Sequence, residues 1–192
     1  MATTVATSTD AALQHLPRGA VVFEAGDRGG CWRVQRGILR LDRPSADGPV
    51  LVMLALPGDW LGSDTLCDHP HQWRATAVTP VVLAPRVPVE AAERHRWLVE
   101  ALLQQPERCH DMARLRTGSV ASRLAALLRL LGGPAGATPW HAAEEGALTR
   151  LREALPPLRV LAELVDAKHE TVCRVLGQLL PRPREAAALV AA

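Results

Sequence analysis

Apolar and polar positions follow two different spacings along this chain. Between residues 17 and 86 the apolar positions form short runs at 20–23, 32–35, 38–42, 50–56 and 76–84. Turn pairs interrupt them, among them Gly26-Asp27, Asp47-Gly48 and Pro57-Gly58. Short strands with turn signals every 8–12 residues or so are typical of a β-sandwich or barrel, such as a jelly roll. This part is therefore predicted to be β.

From residue 89 to residue 131 the spacing changes to that of a helix. An apolar stripe runs through Leu98, Ala101, Leu102, Cys109, Met112 and Leu115 and continues through Val120, Leu124, Leu127, Leu128 and Leu131. Pro106 is predicted to start a new helix, where its missing N–H costs nothing. A stripe of this length serves either core packing or a dimer seam. Residues 132–136, GGPAG, are predicted to be a linker, and one short helix is expected within 137–155.

Residues 156–180, PPLRVLAELVDAKHETVCRVLGQLL, predict two short helices around a tight turn. Both helices have apolar residues at i, i+3, i+4 and i+7, namely Leu158, Leu161, Ala162 and Val165, then Val172, Val175, Leu176 and Leu179. The second helix presents a compact polar face opposite its apolar one. This pattern matches a helix-turn-helix, whose second helix enters the DNA major groove. A helical hairpin in any α-rich domain is the alternative.

Composition restricts the classes of function. The 192 residues are 48% hydrophobic, and the net charge of +2 means that nucleic-acid binding requires a local basic patch. Such a patch lies between residues 168 and 184, with four basic side chains against one acidic. The single Phe and the absence of Tyr disfavour a protein that stacks single-stranded bases. No glycine-rich phosphate loop, GxSxG or HExxH motif occurs, so we do not expect an enzyme.

The expected location is the cytoplasm. The N-terminus lacks the basic and apolar regions of a signal peptide, and no apolar run approaches the length of a membrane span. The four cysteines are scattered without a CxxC pair, which fits a reducing compartment. No membrane partner is expected.

The run HETVCRVL at 169–176 resembles the recognition helix of the CRP/FNR family of bacterial transcription regulators. The resemblance implies that Glu170 and Arg174 read bases, since Glu accepts from cytosine N4 and Arg binds guanine O6 and N7. Position 173 would be a third contact. The complete set of candidate DNA-binding residues is Lys168, His169, Glu170, Thr171, Cys173 and Arg174.

Further segments, in order, are similar to the same family. They are LPRG at 16–19, FEAGD at 23–27, VQRGILRL at 34–41, LPGDWLG at 56–62 and SRLA at 122–125. The resemblance implies an α+β chain with a jelly-roll-like, cyclic-nucleotide-binding-like β-roll, a long dimerisation helix and a helix-turn-helix. The corresponding domains are residues 1–103, 104–132 and 133–192. The tail after Leu180 shows no signal for the β-hairpin wing that family members usually carry.

The loop at 58–74, GDWLGSDTLCDHPHQWR, is where the resemblance places the effector. We register it on Ala75-x-Ala77-x-Thr79, which puts the family's phosphate-gripping Arg-Ser pair at His71 and Gln72 and its Glu at Asp59. A cyclic phosphate needs a fixed positive charge, which neither position supplies, so cyclic AMP is not the expected effector. The candidate pocket comprises Gly58, Asp59, Gly62, Ser63, His71 and Gln72.

The same loop contains a candidate metal or haem site at Cys67, His69 and His71, because thiolate and imidazole ligands suit zinc or haem iron. Solvated loop histidines are the alternative, and the sequence identifies no cofactor.

The function expected from all of this is a homodimeric regulator that reads a palindromic operator in double-stranded DNA, with RNA polymerase as a further candidate partner. The alternatives are a degenerate family member that works through protein or ligand contacts without reading DNA, and a haem- or metal-dependent sensor.

Overall fold

Within residues 12–132 and 145–180, which the computed structural model describes, eight strands form two antiparallel sheets. The strands are β1 Gln14–Leu16, β2 Val21–Phe23, β3 Trp32–Arg36, β4 Leu39–Arg43, β5 Val50–Ala55, β6 Trp60–Leu61, β7 Arg74–Ala77 and β8 Val81–Pro85. One sheet has the order β1-β8-β3-β6 and the other β2-β7-β4-β5. With the helices that follow, this arrangement confirms the predicted α+β class with an N-terminal β-sandwich.

The core of the sandwich lies between the inner faces of the two sheets. Leu39 and Leu41 of β4 alternate inward and join Val34 and Leu83 from the other sheet in one buried cluster. The predicted Asp47-Gly48 turn connects β4 to β5, which pair antiparallel. Gly48 has a φ of 107°, a conformation that costs little only for glycine.

The apolar run at 76–84 does not form one strand. It divides into the ends of β7 and β8, which belong to different sheets. The break contains Pro80, which has no N–H to donate to a sheet. Next to it, the Thr79 hydroxyl accepts a hydrogen bond of 2.9 Å from the Ile38 N–H. A polar side chain therefore occupies the crossing point between the two sheets.

The first helix, α1, spans Ala91–Arg116 and has Pro106 inside it. The expectation that Pro106 starts a new helix was wrong. Proline in a helix interior leaves the carbonyl four residues earlier, here that of Leu102, without its N–H donor. Pro106 is exposed, and the Leu102 side chain is 69% exposed.

The second helix, α2, spans Val120–Leu130 and is separate from α1. The two are divided by residues 117–119, with Gly118 at a φ of 83°. Ser119 caps α2, because its hydroxyl accepts a 3.1 Å hydrogen bond from the Ser122 N–H. Residues 104–132 therefore do not form the single helix that was expected, because the chain breaks at Gly118 and Ser119 starts a new helix.

Three more helices follow, α3 Glu145–Ala154, α4 Leu158–Leu164 and α5 His169–Leu179. The pair predicted within 156–180 thus forms with the expected faces. Buried leucines and valines of α2, α4 and α5 make the local core, namely Leu124, Leu127, Leu128, Leu161, Leu164, Val172 and Val175. Of the predicted linker at 132–136, residues 133–136 lie outside the described residues, as does the tail at 181–192.

The chain divides into two compact units, residues 1–109 and 110–192. In the described part of the chain, no helix combines the length and apolarity that crossing a bilayer requires.

Candidate functional site

Helix α5 separates its apolar and polar residues cleanly. Val172, Val175 and Leu179 are buried against the unit's core. Five of the six candidate DNA-binding residues are exposed around the opposite face, namely Lys168, His169, Glu170, Cys173 and Arg174, and Thr171 is half-buried. The structure therefore brings the predicted residues together on one surface.

The N-terminal end of α5 is open. Lys168 is the N-cap residue, and within the described residues no side chain caps the helix there. Its first-turn amides are therefore available to a phosphate, which the positive end of the helix dipole also favours. Lys168 and Arg174 add positive charge to the same exposed surface, and Glu170 adds a carboxylate.

The loop at 58–74 begins with a turn that the Asp59 side chain stabilises. This carboxylate is buried, and it accepts a 2.7 Å hydrogen bond from the Leu56 N–H through Oδ2. The same oxygen lies 3.5 Å from Nε of Arg108 in α1. Asp59 is thus engaged within the fold, which differs from the expectation that it faces an effector pocket.

His71 lies inside the β-sandwich unit. It is 1% exposed, and its Nε2 lies 2.8 Å from the carbonyl oxygen of Gly29. Its ring stacks on Phe23 with centroids 3.7 Å apart, and Trp32 lies beyond at 6.3 Å from His71. The position that the family resemblance assigns to a phosphate-gripping arginine is therefore filled by a ring that packs against aromatic neighbours.

The other candidate pocket residues near His71, which are Gly62, Ser63 and Gln72, have uncharged side chains. A Cβ on Gly62 would lie 2.7 Å from the Gly30 oxygen and 2.8 Å from the His71 ring, so only glycine fits there. Ser63 begins a short 3-10 helix. Gln72 is exposed, and its amide donates a 3.4 Å hydrogen bond to Asp64.

The candidate metal site is not formed. No group of three or more His, Cys, Asp and Glu side chains within 12–132 and 145–180 is placed to hold a metal ion. Cys67 and His69 are exposed, whereas His71 is buried with its ring packed against Phe23. The three residues are close in sequence, but the 3-10 helix and the return into the sandwich point them to different environments.

Helix α1 has an exposed apolar stripe. Val99, Leu102 and Leu103 are 40%, 69% and 68% exposed, and Pro106 and Cys109 are exposed as well. Their spacing of three and four residues puts them on one face of the helix. Large apolar side chains that share one exposed face are typical of an interaction surface.

Sequence reasoning missed the contacts that attach α1 to the sandwich. The Gln104 side chain accepts from the Trp60 N–H at 2.8 Å and donates to the Trp60 carbonyl at 3.0 Å. Glu100 accepts from the Trp60 indole at 2.9 Å and from Arg33 at 3.1 Å. A cleft of about 310 Å³ borders this network, lined by Arg33, Trp60, Arg86, Glu93, Trp97 and Glu100. These partners are about forty or more residues apart, and no motif links them.

Comparison with known proteins identifies similar domains and folds. Residues 13–90 match the family model of the cyclic nucleotide-binding domain. A CRP-family transcriptional regulator from Thermus thermophilus is similar in structure, with a TM-score of 0.63 and 21% identity over 86% of this chain and 83% of that chain. The chain has the fold of a CRP/FNR regulator.

Two further solved structures share this fold. Another regulator from Thermus thermophilus, of the CRP/FNR family, gives a TM-score of 0.55 and 23% identity, over 94% of this chain and 99% of that chain. The c-di-GMP responsive global regulator CLP of Xanthomonas campestris gives a TM-score of 0.53 and 19% identity, over 88% and 86%. No curated protein matches the chain by sequence.

Proposed function

We propose that this protein is a cytoplasmic, homodimeric transcription regulator that binds a palindromic DNA operator through α5. The observation that carries the proposal is the face of α5 that combines Glu170, Cys173 and Arg174 opposite a buried apolar side. A helix of this kind fits the major groove of B-DNA, and its side chains there read base edges. Lys168 and the open N-terminal amides would hold the adjacent phosphates.

A second copy of the chain is the proposed partner of the stripe on α1. Leu102 and Leu103 are large, apolar and about two-thirds exposed, so their burial against an identical helix would remove water from both copies. A twofold dimer would place two α5 helices on DNA, and an inverted repeat follows from that symmetry.

The effector of the β-sandwich domain is, in our proposal, not cyclic AMP. A cyclic phosphate needs a fixed cation and donors directed at it. His71 is instead stacked on Phe23, and Gln72 is bonded to Asp64 on the surface. The side chains at the two positions where the family resemblance predicts phosphate contacts are therefore engaged in other contacts, which argues against a cyclic phosphate as the effector.

Footprinting at low salt tests the proposal. The expected result is a protected inverted repeat whose half-sites are about 10 base pairs apart, centre to centre. The Glu170→Ala, Arg174→Ala double variant is the control, and it should lose the footprint while staying folded. A folded dimer that protects no sequence would instead favour a regulator that acts through protein or ligand contacts alone.

A further inference from the structure

The turn between α4 and α5 leaves three backbone carbonyls without helical donors. The Ala167 N–H donates to the Ala162 carbonyl at 3.0 Å, and the Asp166 N–H donates to that of Glu163 at 3.3 Å. With Asp166 at a φ of 49°, this is a Schellman motif. The motif satisfies the earlier carbonyls of α4, but those of Leu164, Val165 and Asp166 point beyond the helix end.

Two arginines from other helices bind these three oxygens. Arg116, the last residue of α1, donates through Nη1 to the Leu164 carbonyl at 2.7 Å. Arg123, in the first turn of α2, donates through Nη1 to the carbonyls of Val165 at 2.8 Å and Asp166 at 3.1 Å. A guanidinium is always charged, so these bonds are charge-assisted and also oppose the negative end of the α4 dipole.

The bonded carbonyls lie directly before α5, the proposed DNA-reading helix. Asp166 is followed by only two residues before α5 begins at His169, so the direction of α5 depends on the backbone of this turn. Arg123 lies in the segment SRLA, which resembles a family motif, and neither arginine belongs to the exposed face of α5. Both act on the turn from outside the helical pair.

We propose that Arg116 and Arg123 are positioning residues that set the orientation of the reading helix through the turn carbonyls. This inference rests on the proposed DNA-reading function of α5. Arg116 is the last residue of α1, so a shift of that end relative to α2 would move the donor of the Leu164 carbonyl. Arg123 would remain bonded to the carbonyls of Val165 and Asp166. The arrangement thus links the pose of α5 to the C-terminal end of the proposed dimer helix.

The test compares Arg123→Gln, Arg123→Lys and Arg116→Gln, with Arg114→Gln as a matched control because Arg114 is exposed in the same last turn of α1. Amide hydrogen exchange without DNA is the first measurement. The Val172 N–H donates to the Lys168 carbonyl, and loss of the charged hydrogen bonds should speed exchange of the amides from Val172 to Val175 by about tenfold or more in both glutamine variants. The lysine variant, which keeps one charged donor, should give an intermediate rate, and the control should match the wild type.

DNA affinity across a range of salt concentrations is the second measurement. Arg123→Gln should bind every sequence about tenfold more weakly, with unchanged base preference and an unchanged slope of log affinity against log salt. A slope reduced by about one would make Arg123 a phosphate contact and overturn the inference. Unchanged exchange in a folded Arg123→Gln protein would overturn it as well.

The two measurements separate this inference from the proposed function. A wild-type protein that binds no DNA contradicts the function, whereas the exchange experiment still decides whether the arginines hold the turn. If Arg123→Gln does not fold, Arg123→Lys gives the same comparison, and wild-type exchange rates in that variant would count against the inference.

Discussion

Nε of Arg108 in α1 lies 3.5 Å from Oδ2 of Asp59 in the turn between β5 and β6. Both side chains are largely buried, at 12% and 8% exposure. The same carboxylate oxygen accepts the Leu56 N–H. One buried acid thus fixes a turn of the sandwich and balances a cation of the helix packed against it.

Replacing Asp59 with alanine should destabilise the N-terminal unit strongly. The change removes one carboxylate partner of Arg108, which keeps its 3.3 Å bond to Glu107, and leaves the buried Leu56 N–H without its acceptor, which costs about 1–3 kcal/mol. Urea unfolding measures the loss. The control is Asp68→Asn, which alters the exposed pair that Asp68 forms with Arg94 and should cost less than about 1 kcal/mol. Equal effects of the two changes would contradict this interpretation.

A charge within the α1 stripe should separate the proposed dimer. Leu102→Asp puts a carboxylate at the centre of the stripe, where dimer formation would have to desolvate it. Light scattering after size-exclusion chromatography should show a dimer for the wild type and a monomer for the variant. Val87→Asp is the matched control, since Val87 is 72% exposed but lies outside α1. A variant that remains dimeric would exclude this face as the seam.

Burial in the N-terminal unit raises the pKa of the Cys31 thiol from 9.0 to about 12, against a smaller opposing effect of a backbone hydrogen bond involving Trp32. Thiolates, not thiols, react with alkylating reagents, so at about pH 8 the exposed Cys67 and Cys173 should label quickly. Cys31 should label only after unfolding. Rapid labelling of Cys31 in the folded protein would contradict its burial.

The same shift predicts a change of stability with pH. The folded pKa lies above the unfolded one, so the contribution of Cys31 is fully present below about pH 9 and is lost as the pH rises towards about 12. The free energy of unfolding should fall by up to about 1.4 kcal/mol per pH unit in that window. The difference between wild type and Cys31→Ala isolates this contribution, and parallel pH profiles would refute it.

Cyclic AMP should not bind the β-sandwich domain. The His71 ring is packed against Phe23 and Gln72 is bonded to Asp64, so neither position offers a guanidinium to the phosphate. Calorimetric titration should give no saturable heat, and the thermal midpoint should not rise with added nucleotide. Saturable binding of one nucleotide per chain would show that the loop register is wrong.

Much of the fold can be predicted from local sequence patterns. The faces of α5 follow from four apolar positions at i, i+3, i+4 and i+7, and the β4–β5 hairpin follows from Asp47-Gly48, because both depend on residues that are neighbours in sequence. Five of the six candidate residues of α5 are exposed, as the apolar spacing of the helix predicts. Their role in DNA binding stays a proposal.

Other features depend on distant partners and have no local signal. Strand β6 has two residues and exists because Trp60 and Leu61 pair with β3. His71 is buried because Phe23, nearly fifty residues earlier, supplies a ring to stack on. The helix through Pro106 could not be predicted because a proline at a helix start and a proline inside a helix give the same local sequence signal.

Selection of bound sequences from a random DNA pool, with the purified full chain, tests the central claim most directly. The expected result is an inverted repeat that the wild type recovers and the Glu170→Ala, Arg174→Ala double variant does not. With Arg174→Ala alone, one base position should lose its preference, at a cost of about 1–3 kcal/mol. If the folded wild-type dimer recovers no common sequence, or if the double variant recovers the same one, α5 does not read DNA.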